Sequence, residues 1–421
     1  MKADLILYNI GTLLTPNPSD NPVKGKALND LKQLKNAFIA INDGTILEVG
    51  VNENYKNFIG DDTELYDVQG CLVTPGLIDS HTHVVHGGSR EFEFEKKMAG
   101  VPYLKILEEG GGIHSTVNAT RMMDEKALFN QAKKSLIKMM EFGVTTVEGK
   151  SGYGLEESTE LKQLRVQKRL HEKLPIDIVS TFMGAHAIPS EYKDNHKEYL
   201  DEVIKWMDSV KSDSLAEFVD IFCEEGVFTA KESDYLLSEA IKKGFKVKIH
   251  ADEIASIGGV DVAAKLNATS ADHLMAITNK GIEALKKSNV VANILPATSF
   301  YLNSTYAPVR TMINEGCAIA LSSDYNPGSS PSENYMFTLN LAAIHLKMSP
   351  NEILNAATIN PSFSVNRQGE IGVIDKGYQA DINVYDAKNW PYVLYHYGIN
   401  HIKDVFKNGR LIVKDQKYVK E

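Results

Sequence analysis

The sequence predicts an α/β protein, a (β/α)8 barrel of the TIM type with a small β-sandwich domain built from both chain termini. Three observations predict it. Short apolar runs alternate with longer, charged, helix-period segments through the middle of the chain, the pattern of βα units around a parallel sheet. Polar residues gather at the carboxyl ends of those runs, the end where barrels of this kind carry their sites. Both ends of the chain read instead as β-rich segments broken by Asn, Asp and Gly turn signals.

From the amino end, ADLILYNIGTLLT, AFIAINDGTILEVG and LYDVQGCLVTP suggest a small antiparallel sheet within residues 1–73. Eight candidate strands follow within residues 74–363: GLIDSHTHV, VTTVEGKS, DIVSTFMGAHA, FVDIFCEEG, FKVKIHADE, ATSADHL, NVVANILPAT and CAIALSSDYNPG. Helix-period stretches such as DEKALFNQAKKSLIKMMEFG and KESDYLLSEAIKKG lie between them, each ending in a glycine where a helix stop is expected. Residues 364–421 return to strand character in GEIGVIDKGYQADINVYD and IKDVFKNGRLIVKD, with Lys-Gly and Asn-Gly turns. Residues 1–73 and 364–421 are therefore expected to complete one sandwich beside a 74–363 barrel. The charge run EFEFEKK, Glu91 to Lys97, reads as a solvated face.

At 421 residues the chain can bury a large core and a smaller second unit. A net charge of −10 argues against nucleic acid and anionic membrane as partners and leaves a small-molecule substrate as the expectation. The start, MKADLILYNI, has only a short apolar run interrupted by Asp4 with no small-residue cleavage site after it. Nor does any apolar stretch reach the ~18 residues that span a bilayer. Cys71, Cys223 and Cys317 are widely spaced and lack any C-x-x-C partner, which fits thiols buried as small hydrophobes in a reducing cytoplasm.

The chemistry is carried by the strand ends. On an extended strand residues i and i+2 point to the same side, so His81 and His83 aim two imidazoles into one cavity. Alone, H-x-H is a weak signal. His250 ends the run FKVKIH and Asp324 ends AIALSSD, so each occupies an equivalent strand-end position. Three imidazoles and a carboxylate suit Zn²⁺ or Fe, with a further position left for water. His273, ending strand six, is a candidate proton-transfer residue or second-metal ligand, and Glu253, three residues past His250, a candidate proton shuttle. His86 falls beyond the first strand and is left out of the site.

PGLIDSHTHV, followed by His, His and Asp at later strand ends, resembles the amidohydrolase superfamily over essentially the whole chain. The resemblance implies a (β/α)8 barrel with one or two metals, flanked by a β-sandwich from both chain ends, and a homodimer. Binuclear members carry a carboxylated lysine at the end of strand four, where FVDIFCEEG offers Glu224 and Glu225 instead, so one ion per subunit is expected. A narrower set of motifs, EGGGIHSTVNATR, VEGKSGYGL, MGAHAIP, FCEEGVF, KIHADEI and LSSDYNPGSS, is similar to the imidazolonepropionases within that superfamily. This likeness implies metal-assisted opening of the cyclic amide of 4-imidazolone-5-propanoate to N-formimidoyl-L-glutamate in histidine degradation.

The residues fit such a substrate. Its carboxylate tail calls for a cation, and Arg90 is suited to a bidentate pair with it. Tyr153 lies in the Gly-flanked SGYG loop, whose mobility suits a side chain closing over a ligand. His186 ends strand three and is expected to hydrogen-bond and polarise the ring carbonyl, and Asn326, Gly328 and Ser329 sit just past Asp324 as donors to a carboxylate or ring edge. By resemblance Arg90, Tyr153, His186, Glu253, Asn326, Gly328 and Ser329 contact substrate or product. Glu253, His273, Asp324 and His186 are then the residues expected to carry proton transfer and oxyanion stabilisation. Two competing readings are a mononuclear deaminase of a nucleobase or related amino-heterocycle, which has no use for Arg90 with Tyr153, and a non-catalytic scaffold, which would not need the ligand set.

Overall fold

A computed structural model describes residues 1–101, 105 and 111–420, except for the side chain of Lys97. Glu109 and Gly110, which open the EGGGIHSTVNATR motif, lie outside the described residues. Strands β1 (Leu5–Pro16), β2 (Leu31–Asn42) and β3 (Thr45–Val51) form an antiparallel meander. The turn between the last two is Asp43-Gly44, both at positive φ, as a two-residue hairpin requires.

β4 (Glu64–Asp67) and β5 (Leu72–Pro75) then pair with β1 in parallel, not antiparallel as expected. The cause is the 3-10 segment Asn52–Phe58, which returns the chain to the start of β1, where the Ala3 N–H donates to Phe58 O at 2.9 Å. The strands that follow run in β1's direction.

All eight apolar runs in the middle of the chain form strands: β6 (Leu77–Thr82), β7 (Val144–Lys150), β8 (Asp177–Ala185), β9 (Phe218–Cys223), β10 (Lys246–Ala251), β11 (Ser270–His273), β12 (Val291–Ile294) and β13 (Ile319–Leu321). Each pairs in parallel with the next. The ring closes where the Asp324 N–H donates to His81 O at 3.1 Å and the His83 N–H to Tyr325 O at 2.8 Å. Closure thus runs through the very residues that the strand-end argument selected.

Helices cover the outside and obey their local signals. Glu125–Glu141 starts at Asp124, whose side chain accepts from Ala127 N, and is followed by Gly143 at φ 86°. Ala230–Lys242 starts with a Thr229/Glu232 capping box and is followed by Gly244 at φ 82°. Among the described residues no helix is long and apolar enough to cross a membrane. All three cysteines are free and buried.

β14 (Ile382–Tyr385), β15 (Ile402–Lys407), β16 (Arg410–Lys414) and β17 (Lys417–Tyr418) complete a nine-stranded mixed sheet with the amino-terminal strands, joined where β14 pairs with β5. Leu7, Ile39, Val73, Ile382 and Phe406, from both chain ends, share one buried apolar cluster. The barrel is fastened to this sheet at Gly143, whose carbonyl accepts from Leu77 N at 3.0 Å and from Asn383 Nδ2 at 2.8 Å.

Candidate active site

At the carboxyl ends of β6, β10, β11 and β13 the structure brings His81, His83, His250, His273 and Asp324 together. Candidate ligand atoms of His81, His83 and His250 all lie within 4.8 Å of one another, as do those of His81, His273 and Asp324. Ring centroids of His250 are 4.5, 5.7 and 5.1 Å from those of His81, His83 and His273. The two groups share His81.

The donor set fits a metal ion. His81 Nδ1 donates to Asp272 Oδ2 at 2.6 Å, and His250 Nδ1 lies 3.0 Å from Asp220 Oδ2. Each carboxylate favours a proton on Nδ1 and so leaves Nε2 as the coordinating atom. Nε2 of both rings is buried without a hydrogen-bond partner among the described residues, which fits a metal-ligand role for these atoms. Asp324 is steadied on Oδ2 by the Thr298 hydroxyl at 2.6 Å, while its Oδ1 lies 3.4 Å from His81 Nε2. Glu253 stands beside this ring, its Oε2 3.6 Å from His273 Nε2.

The remaining candidates surround the ring. Tyr153 is buried, its ring 5.5 Å from His83 and 5.3 Å from His186, and His186 stacks on His83 at 4.8 Å. The Tyr153 loop is tied down, contrary to the expectation of mobility. The buried Glu160 carboxylate accepts from Gly152, Gly154 and Leu155 N at 2.9, 2.7 and 2.9 Å. His186 Nδ1 donates to Gly152 O at 3.1 Å, because a carbonyl can only accept. In the neutral ring Nε2 is then an acceptor, not the carbonyl-polarising donor that the strand-end position suggested.

Arg90 makes its bidentate pair with Glu93, through Nε at 2.8 Å and Nη2 at 2.7 Å, so that pair orients the guanidinium in advance of any substrate. Glu93, expected on a solvated face, is fully buried and also accepts from Gly112 N at 2.7 Å. Arg90 rests on Gly328: a Cβ added there would lie 2.1 Å from Nη1. Asn326 Oδ1 accepts from Gly328 and Ser329 N at 2.7 and 2.8 Å, and Ser329 Oγ reaches Asp324 Oδ2 at 3.3 Å. Asn326 thus holds the turn that links Asp324 to the Arg90 seat. His86 is buried behind Tyr153, with Gln131 Nε2 3.3 Å from its Nδ1, and stays outside the ring.

Residues 72–413 match the amidohydrolase family. Over 98% of this chain and 100% of theirs, 54% of residues are identical to the imidazolonepropionase of Fusobacterium nucleatum. Identity is 51% to that of Streptococcus gordonii, over the whole of both chains. The chain belongs to the imidazolonepropionase family of amidohydrolases. Solved structures with the same fold include an adenosine deaminase from Xanthomonas campestris with bound zinc, at a TM-score of 0.73 and 16% identity, covering 100% of this chain and 95% of that one. E. coli guanine deaminase gives 0.73 at 15% identity, with 97% and 99% covered. At such identities the likeness to the deaminases shows the fold alone, and the full-length relatives do not favour the deaminase reading.

Membership of the amidohydrolases accounts for a metal cofactor, and the electrostatics say how protons compete with it. Burial pushes the Asp324 carboxyl up to about 6, and His250, although burial opposes its charge, is lifted above its ordinary value by Asp220. Both must be deprotonated to coordinate, so metal affinity is expected to fall as pH drops, first as His250, raised above its ordinary value, takes a proton and again through about 6 as Asp324 does, by about tenfold per unit for each proton displaced. Chelator competition at pH 5.5 and 7.5 measures this. Equal affinity at the two values would contradict it. Burial, and then the Asp324 charge, push Glu253 up to about 8, the range of a group able to hold a proton near neutrality.

Sequence reasoning missed the layer beneath the ring. Glu148, Lys150, Asp220, Lys248 and Asp272 are all fully buried. The available signal was a charge inside an apolar strand run: Asp220 within FVDIFC, Lys248 two places before His250 and on its side of the strand, Glu148 and Lys150 similarly spaced.

Proposed function

We propose that this amidohydrolase hydrolyses the cyclic amide of 4-imidazolone-5-propanoate to N-formimidoyl-L-glutamate, a step of histidine degradation. One observation carries the reading beyond ring hydrolysis in general: Arg90, oriented by Glu93, is seated on Gly328 of the turn that also bears Asp324. A carboxylate-seeking cation lying against the turn that bears a candidate metal ligand supports that reading.

His81, His83, His250 and Asp324 would hold one ion per subunit, and imidazoles with one carboxylate suit Zn²⁺ or Fe. When bound, the ion supplies Lewis acidity and makes water a competent nucleophile near pH 7. Arg90 receives the propanoate, and Tyr153 packs against the imidazolone ring, held by its Glu160-pinned loop. His186 accepts from a ring N–H through Nε2. Glu253 and His273 stand 3.6 Å apart and move the proton from the attacking water to the departing ring nitrogen. Asn326 and Ser329 keep the turn in shape. We place the reaction in the cytoplasm, in keeping with three free thiols, and the enzyme in a homodimer.

The test is spectrophotometric loss of 4-imidazolone-5-propanoate with and without a chelator. The expected result is turnover that chelation abolishes and Zn²⁺ or Fe restores. Ammonia release from guanine or cytosine, with no opening of the imidazolone, would overturn the reading.

A further inference from the structure

Directly under the metal-ligand ring, three carboxylates and two ammoniums are closed off from solvent. Lys150 Nζ is 2.8 Å from Asp220 Oδ2, 2.8 Å from Glu148 Oε1 and 3.5 Å from Asp272 Oδ2. The Asp220 and Asp272 oxygens it touches are the same atoms that face Nδ1 of His250 and His81. Lys248 instead pairs with Glu148 Oε2 at 2.8 Å and approaches neither aspartate oxygen within ion-pair distance. One ammonium therefore holds both carboxylates that orient two facing imidazoles, although β7, which carries it, carries none of those four residues.

We propose that Lys150 is a positioning residue for the metal: it locks Asp220 and Asp272 in place and thereby fixes the direction and donor strength of His250 and His81 together. A lysine's three donors match the three carboxylates, and partial neutralisation keeps two aspartates from repelling each other across the barrel. With three carboxylates against two ammoniums the layer retains one net negative charge, complementary to a cation above it. Although burial works against its charge, Asp220, Glu148 and Asp272 raise Lys150 above the usual lysine range, so it stays an ammonium and does not become a carboxylated bridge. The inference rests on reading His81 and His250 as ligands.

Lys150→Met alone would leave two net negative charges buried and endanger folding. The informative variant is Lys150→Met with Glu148→Gln, which preserves the net charge of the layer, with Lys150→Gln plus Glu148→Gln as the second. The control is Lys407→Met with Asp381→Asn, a buried pair at 2.6 Å between two carboxy-terminal segments, outside the ring. Zn²⁺ affinity is measured by chelator competition on the folded proteins, alongside kcat and KM. Expected is an affinity about 10–100-fold weaker in the Lys150 variants, with kcat falling and KM holding, and parental affinity in the control. Affinity within twofold of the parent would overturn the proposal, as would failure of both Lys150 variants to fold while the control folds. If instead His81→Ala keeps a full complement of metal, the ligand assignment itself fails, a different result from either of these.

Discussion

His250→Ala is expected to leave a folded protein without its metal and with kcat/KM lowered by about 10³-fold or more, since the ion is asked to supply several kcal/mol of transition-state stabilisation. The ring sits at the centre of the cluster, 4.5 Å from His81, 5.7 Å from His83 and 5.8 Å from His186. No other imidazole contacts so many of the rest. The fold should survive because Asp220, which loses its histidine, keeps Lys150 at 2.8 Å and is not left as an unpaired buried charge. Metal content after gel filtration, with circular dichroism as the check on folding, reads the outcome. Stoichiometric metal in this variant would remove His250 from the ligand set.

Gly328→Ala should raise KM for 4-imidazolone-5-propanoate by about 10–100-fold, with metal content unchanged and kcat nearly so. The magnitude follows from losing a charge-assisted hydrogen-bonding contact of about 1.5–3 kcal/mol. The new Cβ would lie 2.1 Å from Arg90 Nη1, and since that atom ends a flexible side chain, the guanidinium yields rather than the backbone. Arg90→Ala should act in the same direction but is the less clean experiment. It takes the guanidinium from Glu93, a fully buried carboxylate that also accepts from Gly112 N, so stability falls too. Comparing substrate with 4-imidazolone lacking the propanoate isolates the effect: both variants should treat the truncated compound as the parent does. A KM unchanged in both variants would dismiss the role given to Arg90.

The strand ends were legible in the sequence because their signals are local. Eight apolar runs closing in polar residues became eight parallel strands, and period-two alternation was enough to bring His81 and His83 to one side. His250 and Asp324 were reachable by the same positional logic. The direction of β4 and β5 was not, because Asn52–Phe58 reverses the chain in a way that strand propensity does not encode. The burial of Glu93 was not legible since a charge run on a short helix is ordinarily solvated, and it is a guanidinium three residues earlier, together with Gly112 N–H, that makes its burial tolerable.

By itself, then, the sequence determined the barrel with its two β-rich ends and a strand-end set of metal-binding side chains, properties set by residue spacing within a few positions. Only the tertiary structure decided what each of those side chains is bonded to. His81 meets Asp272 across 191 residues, Lys150 meets Asp220 across 70, and the His186 ring takes its orientation from Gly152 O. The physical reason is that a buried charge or imidazole adopts the protonation and direction that its partner permits, and that partner is chosen by which strands the closed barrel makes neighbours.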